Sequence, residues 1–130
     1  MKTIIKIITI ILLVLSNNST RAQTPITRDY LKSRTWILNE GLKATMQITD
    51  TEIIYYINDE FLTSEKYYIS DKSCTEESFD LAKVGLISTG NYIHYEKSSC
   101  VYIEFVNSSA FKKRYSDPIS SDWSLIEAKP

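Results

Sequence analysis

The segment Leu42–Thr49 reads LKATMQIT and alternates apolar and polar side chains without a break. Successive side chains of a β-strand point to opposite faces, whereas a helix would scatter the same residues around its circumference. The apolar face consists of Leu42, Ala44, Met46 and Ile48. The segment therefore predicts a strand with one face in a core and the other in water.

Other segments share this period of two, and turn-forming residues separate them. They are Thr35–Glu40, Glu52–Asn58, Phe61–Ile69, Asn91–Lys97, Cys100–Val106 and Phe111–Tyr115, the last of which is basic on its outer face. Tight connections are typical of antiparallel neighbours, because parallel strands need a long crossover. The pattern predicts an up-and-down meander.

The region Ser70–Gly90 is the exception, since it begins polar and becomes apolar only in its second half. Here we expect a loop and then a strand within Ser78–Ser88, broken at Gly85. That strand brings the total to about eight, and closure into a barrel would remove the exposed edges of such a sheet. We therefore predict an all-β fold, a small up-and-down antiparallel β-barrel. An open sheet or a two-sheet sandwich is the alternative.

The two ends of the chain depart from the strand pattern. Residues 1–22 combine lysines, the apolar run Ile7–Leu15 and a polar stretch ending in Ala22, which is the order of a secretory signal peptide. The run is shorter than the roughly 20 apolar residues of a membrane span, so we prefer cleavage after Ala22 to a membrane anchor. We expect one domain over 23–130, secreted or periplasmic, with a short C-terminal tail.

Two short segments are expected to lie outside the strands. Arg28–Ser33 predicts one helical turn with Thr27 as its cap. The tail Ser116–Pro130 either forms a short helix that packs Trp123 and Ile126 on the barrel or is frayed. The sequence leaves both alternatives for the tail open.

Several short motifs carry a family resemblance. They are YLKSRTW at Tyr30–Trp36, YYISDKSC at Tyr67–Cys74, Phe79 with the following Lys83-Val84-Gly85 and Gly90-Asn91-Tyr92, and CVYI at Cys100–Ile103. Together they resemble the small secreted lipocalin-like, calycin-type β-barrel proteins common in Bacteroidetes, over about residues 28–115. Lipocalins carry Gly-x-Trp in the first strand, and this chain has Arg34 at the glycine position. The resemblance implies an eight-stranded barrel and a secreted location, and it implies no chemistry.

Cys74 and Cys100 are the only cysteines of the chain. An even count in an exported protein predicts a disulfide, with two free thiols as the alternative. A metal site with two cysteine ligands would need two more ligands, and His94 is the only histidine. We therefore predict a Cys74–Cys100 disulfide, no metal site and no cofactor.

The titratable residues with some promise for catalysis are His94 and two acidic pairs. His94 could act as a general base beside Glu96, but no nucleophile motif accompanies it, and we interpret it as a surface strand histidine. The acidic pairs Asp59-Glu60 and Glu76-Glu77 are interpreted as solvated turn charges. We predict no catalytic residue.

Glu65 is a further polar residue that needs an explanation. If Phe61, Tyr67 and Ile69 face inward, the period of two turns Glu65 inward as well. Either a β-bulge breaks the register, which we favour, or Glu65 marks a polar spot in the barrel interior.

An eight-stranded barrel is just wide enough to be filled by side chains or to hold one small ligand. Many of the residues expected to face inward are large, which favours a small pocket or none. We expect the Trp36 side chain to fill the closed end of the barrel. Tyrosines on strands serve more often in cross-strand packing than in ligand binding. The candidate ligand-binding residues are Trp36, Met46, Tyr55, Tyr67 and Phe105.

Composition and motifs leave three classes of function. We expect an exported non-enzymatic barrel that binds a small apolar ligand in a limited pocket. The alternative is a protein–protein interaction module, such as an inhibitor or a toxin-immunity protein. An enzyme ranks last, because no acid, base and nucleophile converge in the sequence. The net charge of −1 offers no basic surface for nucleic acid, and we expect a monomer.

Overall fold

The computed structural model describes residues 24–115 and 123–130. The expected leader and its cleavage site after Ala22 lie outside these residues. The elements, in chain order, are β1 (Ile26–Thr27), α1 (Arg28–Lys32), β2 (Thr35–Asn39), β3 (Ala44–Ile48), β4 (Glu52–Ile57), β5 (Glu60–Ser70), a 3₁₀ turn (Leu81–Lys83), β6 (Thr89–Gly90), β7 (Tyr92–Tyr95), β8 (Val101–Asn107), β9 (Ala110–Tyr115) and β10 (Ser124–Ala128).

Eight of these strands form one closed barrel in the order β10-β2-β3-β4-β5-β7-β8-β9. Every neighbouring pair is antiparallel, and the remaining strands, β1 and β6, pair with each other outside the barrel. The predicted all-β, lipocalin-like barrel is therefore confirmed, and the sandwich alternative is excluded.

The strand that closes the barrel is the C-terminal one. Ile126 of β10 pairs with Phe111 of β9, and Ala128 pairs with Trp36 of β2. Ile126 is buried while its neighbours Leu125 and Glu127 are exposed, which is the period of two of a strand with one buried face. Both alternatives for this part of the tail, a helix and a frayed end, were therefore wrong.

The strand expected within Ser78–Ser88 does not form. Residues 78–88 instead contain a 3₁₀ turn, in which the side chain of Asp80 accepts a hydrogen bond from the backbone N–H of Ala82. Leu81 and Leu86 are exposed, so the apolar residues of this segment do not share a buried face. The pattern was misleading because this segment does not join the barrel sheet as a strand. It folds back over the outer face of the sheet, where Phe79 stacks on Tyr68 at a centroid distance of 5.7 Å.

The helical turn at the N-terminus forms as predicted and covers one end of the barrel. The Thr27 side chain accepts a hydrogen bond from the backbone N–H of Tyr30 and so caps α1. Below it, Trp36 is fully buried and donates its indole N–H to the carbonyl of Leu31 at 2.8 Å. The ring of Phe111 packs edge-on against Trp36 at a centroid distance of 4.9 Å. These contacts form the closed end of the barrel.

The predicted disulfide is confirmed. Cys74 and Cys100 are bonded, with their Cα atoms 5.7 Å apart, within the usual range for disulfides. The bond holds the loop that follows β5 against the start of β8.

That loop covers His94, so the interpretation of His94 as a surface residue was wrong. The His94 ring is 1% exposed and stacks on Tyr68 at a centroid distance of 4.9 Å. Its Nε2 lies 2.9 Å from the carbonyl oxygen of Lys72. Burial, with a smaller contribution from the charge of Lys83, lowers the pKa of His94 below its usual value.

Of the acidic pairs, the second is less solvated than expected. Glu77 belongs to the loop that follows β5 and is half-buried, since it forms an ion pair with Lys83 and accepts a hydrogen bond from the Tyr68 hydroxyl at 3.3 Å. Asp59 remains an exposed turn residue, 3.4 Å from the ammonium of Lys129. The sequence could not distinguish them, since burial of Glu77 depends on a loop folding back over the sheet.

Candidate functional site

The end of the barrel opposite α1 contains a cavity of about 410 Å³ that opens to solvent. It lies where β2, β4, β7 and β9 end and where the next strands begin. The side chains that line it come from β2, β3, β4, β5, β7, β8, β9 and the β7–β8 turn: Leu38, Met46, Tyr55, Thr63, Ser64, Glu65, Tyr95, Lys97, Ser98, Ser99, Val101, Lys113 and Tyr115. The cavity is therefore built by most of the barrel strands and not by one loop.

One wall of the cavity is apolar, and strand register explains its position. Leu38 follows Trp36 by two residues on β2, so both point into the barrel and Leu38 lies one step closer to the mouth. Met46 pairs with Trp36 on one side and with Tyr55 on the other. Because directly paired residues lie on the same face, Met46 and Tyr55 continue this wall across β3 and β4.

The strand β3 begins two residues later than the alternation in Leu42–Thr49 predicts. Lys43 has a positive φ of 49° and ends the β2–β3 turn, and Leu42 is exposed at the tip of that turn. Leu42 therefore does not belong to the inward face on which the pattern placed it.

Glu65 lies inside the barrel, where it is 5% exposed. The strand β5 does contain a bulge, since Tyr55 pairs with Thr63 and Tyr56 pairs with Phe61, which leaves Leu62 without a partner. The bulge turns Phe61 outward, where it is 66% exposed, and leaves Glu65 inward. The favoured explanation, a bulge that removes Glu65 from the interior, was therefore wrong, and the alternative of a polar interior spot is correct.

Four donors satisfy the carboxylate of Glu65. Its Oε1 accepts hydrogen bonds from the backbone N–H groups of Lys97 at 3.1 Å and Ser98 at 2.9 Å. Its Oε2 accepts from the hydroxyls of Ser98 at 2.6 Å and Tyr55 at 2.8 Å. Burial acts to raise the pKa of Glu65, but these hydrogen bonds outweigh it and hold the pKa below its usual value. Glu65 is therefore ionised, and its carboxylate binds the β7–β8 turn to the inner face of the barrel through these hydrogen bonds.

The tyrosines around Glu65 are held in their neutral form. Burial, the neighbouring Tyr95 and the hydrogen bond to Glu65 raise the pKa of Tyr55. Burial and the charge of Glu65 raise the pKa of Tyr95. Both phenols therefore present uncharged hydroxyls to the cavity at neutral pH.

Lys113 is one of the cavity residues that were not among the candidates from the sequence. The alternation along β9 places the buried Phe111, Lys113 and Tyr115 on the inward face, while Lys112 and Arg114 form the basic outer face that was expected. Lys113 is partly buried, and its ammonium lies 6.0 Å from the centroid of the Tyr115 ring. Burial lowers the pKa of Lys113 below its usual value. Counting in steps of two from Phe111 is the signal that would have found it.

The structure places the five candidate ligand-binding residues in different parts of the barrel. Met46 and Tyr55 line the cavity, as described above. Trp36 lies at the closed end, and Tyr67 is buried with its hydroxyl donating to the carbonyl of Thr49 at 2.6 Å. Phe105 is partly exposed, with its ring 5.3 Å from that of Tyr30 beneath α1. The remaining lining residues, among them Glu65 and Lys113, were not among the candidates.

Comparisons of the chain with protein-family models, with curated proteins and with solved structures gave no match. Within residues 24–115 and 123–130, no helix has the length and apolar character needed to cross a bilayer.

The arrangement at the mouth is suited to holding a small molecule. It combines an apolar wall, neutral hydroxyls and fixed charges in one concave space. His94 lies on the outer face of the barrel under the disulfide-bonded loop, away from the cavity lining. Glu65 already accepts four hydrogen bonds, so its lone pairs are committed to the protein.

Proposed function

We propose that this protein is an exported, non-enzymatic barrel of the lipocalin-like kind that binds a small molecule of mainly apolar character at its mouth. The observation that carries this proposal is the cavity of about 410 Å³, whose lining includes the apolar side chains of Leu38 and Met46 in the apolar wall and that of Val101 on β8. Ligand pockets in proteins have volumes from roughly 300 Å³ upward, so this space is large enough for one small ligand. Burial of hydrocarbon against such a wall contributes roughly 25 cal/mol per Å².

The non-enzymatic part of the proposal rests on where the titratable groups lie. The single histidine is stacked on Tyr68 outside the cavity, and Glu65 is held as a structural carboxylate with a lowered pKa. General acid–base catalysis needs two positioned groups with separated pKa values near the operating pH. The exported location is supported by the Cys74–Cys100 disulfide, which is compatible with an oxidising compartment, and by the leader-like residues 1–22.

A neutral fluorescent probe tests the proposed binding directly. The full chain is titrated with N-phenyl-1-naphthylamine, whose emission rises in apolar surroundings, and we expect saturable binding. Met46→Trp fills the cavity and should weaken binding, whereas Thr45→Trp, on the opposite face of the same strand, should leave it unchanged. The proposal fails if the wild-type chain shows no saturable binding or if Met46→Trp binds the probe as tightly as the wild type.

A second candidate function is a protein–protein interaction module, such as an inhibitor or a toxin-immunity protein. It is favoured by exposed apolar side chains near the mouth, those of Leu42 on the β2–β3 turn and of Phe61 and Leu62 at the start of β5. A hydrogen bond from Asn58 N–H to the Lys43 carbonyl, 3.1 Å long, holds the β4–β5 turn beside the β2–β3 turn. Contiguous exposed apolar side chains are typical of interaction sites.

Lysozyme inhibition is the activity we would test for this second candidate. The full chain is added to a lysozyme cell-wall clearing assay, with Phe61→Asp as the variant that should relieve inhibition. Lys66→Asp, further along β5, is the control. Unchanged clearing in the presence of the wild-type chain would exclude lysozyme as its target.

A further inference from the structure

We propose that the ligand of the mouth cavity is an amphipathic organic anion whose carboxylate pairs with Lys113 while its hydrocarbon lies against the apolar wall. This inference rests on the proposed function, since it assumes that the cavity holds a small molecule. It narrows the ligand from a generally apolar molecule to one with a negatively charged head.

The first argument is the position of Lys113 itself. Its neighbours on the inward face of β9 are Phe111, which is buried in the core, and Tyr115. Its side chain lines the cavity and does not extend along the outer surface. Withdrawing an ammonium group from water costs free energy unless a partner of opposite charge compensates it. An anionic partner would therefore stabilise a lysine at this inward position.

The second argument is that the part of the chain described by the structure does not supply this partner. Among residues 24–115 and 123–130, the carboxylates of Asp50, Asp59 and Glu77 form the observed ion pairs, and they pair with Arg28, Lys32, Lys83 and Lys129 and not with Lys113. The carboxylate that shares the cavity, that of Glu65, accepts its four hydrogen bonds from Tyr55, Lys97 and Ser98. The lowered pKa of Lys113 agrees with an ammonium that burial penalises and that no described carboxylate compensates.

The third argument is the charge of the cavity as a whole. Its lining contains one carboxylate, Glu65, and two ammonium groups, those of Lys97 and Lys113, so it is positively charged in a chain whose net charge is −1. The Lys97 ammonium lies at the rim, where it donates to the Ser64 carbonyl at 3.4 Å. An anionic ligand is attracted by this cavity, and repulsion from Glu65 directs its carboxylate to the side of Lys113.

The apolar side chains of the cavity indicate that the rest of the ligand is hydrocarbon. Leu38, Met46 and Val101 offer no hydrogen-bond partners, so a small hydrophilic anion would leave them in contact with water. A carboxylate with a short hydrocarbon chain satisfies the ammonium and the wall together. The class of ligand is therefore a medium-chain carboxylic acid or a compound of the same design.

Two ligands of equal chain length, one charged and one neutral, distinguish the contribution of the charge to binding from that of the hydrocarbon. Octanoate and 1-octanol are titrated into the full chain at pH 7 in a calorimeter, using the wild type, Lys113→Met and Lys112→Met. Lys112 lies next to Lys113 on β9 but on the outer face, so its variant loses the same charge outside the cavity. We expect the wild type and Lys112→Met to bind octanoate about tenfold or more tightly than octanol, as a charge-assisted contact predicts. Lys113→Met should lose this preference and keep its affinity for octanol.

The outcomes distinguish this inference from the proposed function. Equal binding of octanoate and octanol by the wild type, or full octanoate affinity in Lys113→Met, overturns the anion proposal and leaves the binding cavity standing. Binding of neither ligand by the wild type counts against both. Circular dichroism checks that each variant is folded, and if Lys113→Met is not, Lys113→Gln takes its place, with Lys113→Arg expected to retain the preference for octanoate.

Discussion

Removal of the Glu65 carboxylate should lower the free energy of unfolding of the barrel, because this one group accepts hydrogen bonds from three residues. Glu65→Ala removes the acceptor of four hydrogen bonds from Tyr55, Lys97 and Ser98. Hydrogen bonds to a charged group contribute about 1.5–3 kcal/mol each, but Lys97 and Ser98 are exposed, so water can replace the carboxylate at the turn. The half-buried Tyr55 hydroxyl is less easily solvated. We therefore expect a loss of about 2–4 kcal/mol in the free energy of unfolding, far below the sum of four separate bonds.

Urea denaturation followed by tryptophan fluorescence measures this loss. Glu65→Gln keeps one acceptor oxygen and the size of the side chain, so about half of the effect should remain. Glu96→Ala is the control, because Glu96 is exposed and, within the described residues, its carboxylate accepts one hydrogen bond of 3.3 Å, from the Lys66 N–H. A loss below about 1 kcal/mol for Glu65→Ala, or an equal loss for Glu96→Ala, would refute the role assigned to Glu65.

The same residue produces a pH dependence with a defined sign. The pKa of Glu65 is lower in the folded protein than the usual value of about 4.3, so the unfolded chain binds the proton more readily. The stabilisation by Glu65 is fully present above that usual value and is lost as the pH falls through the folded pKa. The stability difference between wild type and Glu65→Gln should therefore shrink on acidification below about pH 4. A difference that grows in acid would contradict the lowered pKa.

Three further perturbations test the closed end and the covering loop. Trp36→Ala should cost about 3–5 kcal/mol in urea denaturation, because the ring is fully buried, and a cost below about 1 kcal/mol would contradict its place in the core. Reduction of the disulfide between Cys74 and Cys100, which are 26 positions apart in the sequence, should cost about 3–4 kcal/mol and lower the Tm. An unchanged Tm after reduction would contradict a stabilising role of the disulfide. The lowered pKa of His94 means that its neutral form is favoured by folding, so stability should fall as the pH drops below about 6.5. His94→Phe should remove that part of the pH dependence, and an identical pH profile in this variant would exclude it.

The alternation of apolar and polar residues was sufficient to predict those strands that have one buried face and one solvent-exposed face. The strands around Met46 and Ile53 follow this rule, and so do the cap at Thr27 and the disulfide. The rule failed where packing depends on distant parts of the chain. The loop over His94 and the position of β10 are set by surfaces that only the closed barrel provides.

The candidate site was predictable only in part, for a related reason. Met46 and Tyr55 could be placed on the inward face because they lie in regular strands. Glu65 was misjudged because the extra residue in β5 lies at Leu62, and one sequence does not reveal where a bulge falls. Lys113 was overlooked because a lysine is assumed to be solvated, although its inward position follows from the period of two.

The closure of the barrel by β10 also has a consequence for how the chain folds. During synthesis, β2 through β9 emerge before β10, so β2 and β9 each present a bare edge until residues 124–128 pair with both. Bare edges are templates for association with other chains, and pairing between strands far apart in sequence is slow. The pairing of the five residues of β10 therefore determines how long these two edges stay open to pairing with other chains.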